Sequence, residues 1–141
     1  MTAVRGLIDT NMVILLPRLP SSMLPDEPQI SAVTLAELSV GPLLAGSDRQ
    51  RALRLAELQQ AEVDFDAVPF DAVAARTFGQ VAASLRRAGR KASARTYDAM
   101  IAATAIANEL PLYTCNPGDF VGIDGLEIVA VPHPDEGSQS G

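Results

Sequence analysis

The sequence predicts a single-domain α/β fold, with a mostly parallel central sheet flanked by helices. Short apolar segments alternate with longer segments of helical spacing, which is the pattern of strand–helix–strand units. The chain has 141 residues, enough for one domain with a sizeable core. Hydrophobic residues make up 48% of it, which excludes disorder for most of the length.

Residues 6–8 read as a buried strand that enters a turn at Thr10-Asn11. Residues 12–16 are short, apolar and stopped by Pro17. Pro17, Pro20, Pro25 and Pro28 then mark a loop, and residues 29–31 a short strand. A helix is expected over residues 32–44, closed near Gly46, and a second over 48–61, where Ala52, Leu55, Ala56 and Leu58 lie near helical spacing. Residues 63–69 read as strand and turn. Asp71 can cap a long helix to residue 88, with Val73, Ala74, Phe78, Val81, Ala82 and Leu85 on its inner face and Gly89 at its end. Residues 94–108 form a further alanine-rich helix, and 112–114 and 126–131 the last strands. The domain is expected over residues 1–132, with a mobile polar tail over 133–141.

Composition removes several chemistries. Cys115 is the only cysteine, so internal disulfides and cysteine-rich zinc sites are excluded, and the only histidine, His133, lies in a Pro-rich tail, which argues against a Ser-His-Asp triad. Oxygen ligands remain, and they favour Mg²⁺ or Mn²⁺ over zinc. No apolar run is long enough to span a bilayer and no leader peptide is visible, so the expected location is cytoplasmic, with no membrane partner. The net charge of −6 argues against a generic nucleic-acid coat. Yet Arg86, Arg87, Arg90, Lys91 and Arg95 crowd one stretch, a candidate RNA contact or an ordinary basic helix end.

Four carboxylates fall where core elements should meet loops: Asp9, Glu37, Asp98 and Asp119. Each has a local explanation of its own. Asp9 and Asp119 suit turns, Thr34-x-x-Glu37 matches a capping box, and Asp98 suits the first turn of a helix. In a parallel α/β sheet, however, ligands sit beyond the carboxyl ends of the strands, and all four can reach that edge. Carboxylates gathered there repel one another unless a cation joins them, so a shared divalent-metal site is the leading interpretation. Thr10 and Asn11 would then support Asp9, or simply form its turn. Cys115 is expected in packing.

The segments Leu7-Ile8-Asp9-Thr10-Asn11, Ala36-Glu37-Leu38, Asp98-Ala99-Met100-Ile101-Ala102-Ala103-Thr104-Ala105 and Thr114-Cys115-Asn116-Pro117-Gly118-Asp119-Phe120 resemble, in order and spacing, the motifs of PIN-domain ribonucleases, the VapC toxins above all. The resemblance runs from Gly6 to Val131. It implies a PIN-like domain and a Mg²⁺- or Mn²⁺-dependent endoribonuclease that cuts structured RNA, often tRNA. It further implies a homodimer, inhibited by a cognate VapB-type antitoxin in a heterotetramer or larger assembly. Many PIN domains have an aspartate where this chain has Asn116. Asp119 would then complete the acidic set, or the site has three strong ligands, and Asn116 could hydrogen-bond or coordinate through its carbonyl oxygen.

Two other classes compete. Asp9-Thr10-Asn11-Met12-Val13 resembles the nucleophile motif of haloacid-dehalogenase-type phosphatases, but Asn11 stands where their second aspartate would be. A catalytically degenerate PIN domain, binding RNA or protein without cutting, is the non-enzyme alternative, and Asn116 favours it. The apolar residues Met12, Val13, Leu15, Leu16, Leu35, Leu38, Val40, Leu43 and Leu44 exceed what a small sheet can cover. An exposed remainder would form a groove for a partner helix, whose arginine could enter the acidic site.

Overall fold

The computed structural model describes residues 3–136. Five strands form one parallel sheet: β1 (Arg5–Ile8), β2 (Glu27–Ser31), β3 (Ala67–Val68), β4 (Leu112–Thr114) and β5 (Ile128–Ala130), in the order β3-β2-β1-β4-β5. Five α-helices connect them: α1 (Thr10–Leu15), α2 (Ala32–Leu43), α3 (Asp48–Asp64), α4 (Ala72–Arg87) and α5 (Thr96–Ala107). The chain builds outward from β1 to β3 on one side, then returns to lay β4 against the other side of β1. The crevice beyond the ends of β1 and β4 is therefore the topological switch point, where open α/β sheets bind ligands.

Leu7, Ile8, Ile30 and Leu112 are fully buried in the sheet. On α5, Ala99, Ile101, Ala102, Ala103, Thr104 and Ala105 are all buried, and the small side chains let this helix lie close to both sheet and α4. Ala99 and Ala103 pack with Val81 and Leu85 of α4. Gly6 is required by Tyr113 on the neighbouring strand: a Cβ at position 6 would come within 2.5 Å of its ring.

Differences from the sequence expectation are local. Residues 10–15 are helical from Thr10 onward, so Thr10-Asn11 is a first helical turn, with Asp9 as its cap. β2 starts at Glu27 and takes in Pro28, whose ring needs no amide at that place in the pairing with Gly6. α3 runs on to Asp64, and a 3₁₀ turn (Ala92–Arg95) precedes α5. The capping-box interpretation of Thr34 and Glu37 is wrong. Ser31 caps α2, its hydroxyl accepting from the Val33 amide at 3.0 Å, and this leaves Glu37 free for the site. Asp71 caps α4 as expected, accepting from Ala74 N–H at 3.0 Å. Residues 133–136 of the expected tail form a turn tied to Arg18 through Asp135, and 137–141 lie outside the described residues. Among the described residues, no helix is long and apolar enough to cross a membrane.

Candidate active site

Asp9 leaves the end of β1 and is only 5% exposed. Its Oδ1 accepts from the Met12 amide at 3.0 Å, which caps α1, and its Oδ2 accepts from the Thr114 hydroxyl at 2.6 Å. That second bond bridges the ends of β1 and β4 across the switch point. Thr114 also accepts from the Asn116 amide at 2.9 Å, so one buried hydroxyl links Asp9 to the segment after β4. Sequence reading missed Thr114. The available signal was its place as the last residue of the strand just before Cys115-Asn116.

Glu37 reaches the same edge from α2. Its Oε1 accepts from the Thr10 hydroxyl at 2.7 Å, and Thr10 meets the buried Thr34 hydroxyl at 3.0 Å. Thr10 thereby positions Glu37, not Asp9. Asn11 is exposed and lines a cleft of about 300 Å³ with Thr10, Glu37 and Arg54. Asp98 stands in the first turn of α5. Asp119 lies in a 3₁₀ turn (Pro117–Phe120), anchored by Phe120, which is 1% exposed. Asn116 starts that turn through its backbone, accepting the Asp119 amide at 3.0 Å.

Burial and neighbouring carboxylates raise three of the four acids. Burial pushes Asp98 up to about 6, reinforced by Asp119, Glu37 and Asp9, with Arg95 opposing. Burial also raises Asp9, against its bonds from Thr114 and Met12, and Asp119 adds to the rise. Glu37 is raised by burial and by Asp9, against the Thr10 bond. Burial raises Cys115 as well, with help from the charges of Asp9 and Glu136. A buried, protonated thiol suits packing and not attack.

Among the described residues, no three His, Cys, Asp or Glu side chains form a ready-made metal cage. Instead Arg95 stands between two of the acids, its Nη1 2.7 Å from Asp119 Oδ1 and 3.7 Å from Asp98 Oδ2. The donor chemistry still fits a hard divalent ion. All the donors are carboxylate oxygens, their own repulsion calls for positive charge, and Mg²⁺ needs only one or two carboxylates beside its waters.

Part of the basic stretch is tied to the segment after β4, at the surface. Arg87 pairs with Asp124 at 3.1 Å, and Arg90 donates to the carbonyls of Gly118 and Val121 at 3.1 and 2.7 Å. With Arg95, these side chains hold the segment carrying Asp119. Of the expected apolar surplus, Met12, Val13 and Leu38 are buried, whereas Leu43 and Leu44 are 82% and 74% exposed. An apolar cleft of about 350 Å³ lies beside α1, lined by Val13, Ile14, Leu16, Leu53 and Phe65. Ile14 and Glu57 join it to the cleft at Glu37.

A family model described as PIN domain matches residues 7–125. Ribonuclease VapC5 of Mycobacterium tuberculosis is 35% identical over 133 residues, covering 92% of this chain and 96% of that protein. Among solved structures, the fold is similar to that of VapBC-5 from M. tuberculosis, a member of the VapBC family of toxin–antitoxin systems. The TM-score is 0.78 at 35% identity, covering 91% of this chain and 99% of the other. It is also similar to that of DNA-bound VapBC from Salmonella typhimurium, with a TM-score of 0.74 at 26% identity, covering 90% and 98%.

Proposed function

The chain belongs to the PIN-domain family, and from that membership we propose that it is a toxin of a type II toxin–antitoxin pair, a metal-dependent endoribonuclease acting on structured RNA such as tRNA. One observation carries the proposal. Asp98 is raised to about 6, first by its burial and then by the charges of Asp119, Glu37 and Asp9, acids that come from three other segments of the chain. These four residues would hold Mg²⁺ or Mn²⁺. When bound, the ion supplies an activated water and neutralises charge on the scissile phosphate. Thr114 fixes Asp9, Thr10 fixes Glu37, and the backbone of Asn116 sets the turn that presents Asp119. Arg86 and Lys91, whose side chains make no ion pair or hydrogen bond among the described residues, are the members of the basic stretch left to face RNA phosphates.

Purified protein should cut RNA, stop in EDTA and resume on adding Mg²⁺ or Mn²⁺. Cleavage that persists in metal-free buffer defeats the metal assignment, and RNA bound but uncut leaves the degenerate, RNA-binding alternative. Replacing Arg86 and Lys91 by alanine should lower the slope of log affinity against log salt by about 2. An unchanged slope returns both to the solvated surface.

The partner is a VapB-type antitoxin, in keeping with the VapBC complexes that this fold resembles. A helix of that antitoxin fits the apolar cleft beside α1, in an assembly built on a homodimer of this chain. Expression of the chain alone should arrest growth, and co-expression of the adjacent small gene should restore it. Harmless expression of active protein would overturn the toxin assignment.

A further inference from the structure

The cleft of about 300 Å³ opens directly beside Glu37, which lines it together with Thr10. Its walls are of two kinds. Ile14 and Leu38 supply apolar surface, while Arg54, Glu57 and the exposed Asn11 supply donors and acceptors. Apolar walls with a few placed polar groups suit a flat ring that hydrogen-bonds along its edge. Arg54 is held in place. Its stem lies over Gly41 of α2, so closely that a Cβ at position 41 would stand 3.3 Å from Arg54 Cδ. Its Nη1 donates to the Gly41 carbonyl at 2.9 Å. That is its one side-chain hydrogen bond among the described residues, and it makes no ion pair there, so a half-buried, permanently charged fork keeps donors to spare. Glu57 lies three residues further along α3, yet the two side chains do not pair. Among the described residues the Glu57 carboxylate makes no ion pair or hydrogen bond. A fixed set of donors and an open pair of acceptors thus line one cleft.

We propose that this cleft is a base subsite, taking an unpaired guanine of the RNA chain next to the scissile phosphate. The proposal rests on the ribonuclease reading of the acid site. Charge decides between a phosphate and a base. Glu37 and Glu57 outnumber Arg54 in the cleft, so a phosphate is repelled and a neutral base is admitted. Edge chemistry decides among the bases. Guanine offers two adjacent acceptors, O6 and N7, to an arginine fork. It also offers two adjacent donors, N1–H and the N2 amino group, to a carboxylate. Adenine, cytosine and uracil each give a carboxylate a single donor group. In a duplex the N1 and N2 donors are spent on pairing, so the guanine comes from a loop or bulge of a structured RNA. Arg54 and Glu57 are then specificity-determining residues, and Ile14 and Leu38 cover the ring.

The test is cleavage of a pool of single-stranded RNAs of random sequence by the full chain with Mg²⁺, followed by sequencing of the new ends. With wild type, guanine should be enriched about tenfold at one position beside the cut. Glu57→Gln and Arg54→Gln should each bring that enrichment close to one, and should raise KM on a guanine-containing substrate more than they lower kcat. Arg54 also binds the Gly41 carbonyl, so melting curves accompany both variants. Glu57→Gln removes no contact within the chain and keeps the test open if Arg54→Gln melts early. A merely structural role for either residue would change the rate and leave the base preference alone. Wild-type cuts with no guanine bias overturn the proposal, and so does a bias that either folded variant retains. No cleavage at all would sink the ribonuclease reading and the subsite with it, a failure distinct from cuts without bias.

Discussion

Asp98→Asn should abolish RNA cleavage and leave the fold intact. The loss should be at least about a hundredfold, since disturbing even residues that merely orient metal ligands costs about 10–100-fold, and this change removes a ligand's charge. The fold should tolerate it for local reasons. Asp98 does not cap α5, its one close charged partner is Arg95 at 3.7 Å, and the amide keeps the shape of the acid. A single-time-point RNA gel, paired with far-ultraviolet circular dichroism of the same sample, checks both halves. Folded Asp98→Asn protein that cuts at the wild-type rate removes Asp98 from the site.

The parts of this site that are legible in the sequence are those where one residue type in one place is required. Asp9 directly follows an apolar strand, and Asp98 opens a helix too rich in alanine to be solvated, so the sequence alone places both at the sheet edge. Glu37 lies on α2, where its sequence context puts it, but its hydrogen-bond partner Thr10 is not legible there. The Ser31 hydroxyl wins the capping role because it stands one residue before the helix, where the Thr34 pattern does not reach. The basic stretch shows where a one-dimensional reading stops. Residues 86–95 look like a surface patch, yet Arg87, Arg90 and Arg95 fold onto residues 118–124, a segment more than twenty residues away. Nothing in local spacing encodes that pairing. Thr114 escapes sequence reading for the same reason: its hydroxyl matters only because β4 pairs with β1 and brings it to Asp9.

Without metal, the protein should be more stable at pH 5 than at pH 7. Asp98 titrates at 3.8 when unfolded and at about 6 in the fold, first because it is buried and then because of Asp119, Glu37 and Asp9. Between those values the unfolded chain has released its proton while the folded chain still holds it. Raising the pH through that window therefore favours unfolding. Burial shifts Asp9 and Glu37 in the same direction, which adds to the effect. At about 1.4 kcal/mol per pH unit, the Asp98 shift alone bounds the change at about 3 kcal/mol. Partial solvent exposure of the side chain brings it down to about 1–2 kcal/mol, a few degrees in melting temperature for a domain of this size. Thermal melts in EDTA at pH 5, 6 and 7 should therefore fall in that order. Asp98→Asn should flatten the series by raising the pH 7 value, and Mn²⁺ at pH 7 should recover the lost stability in wild type. A melting temperature that climbs from pH 5 to pH 7 in EDTA, or an Asp98→Asn series with the wild-type slope, would show that burial and its acidic neighbours do not raise Asp98 in the folded chain.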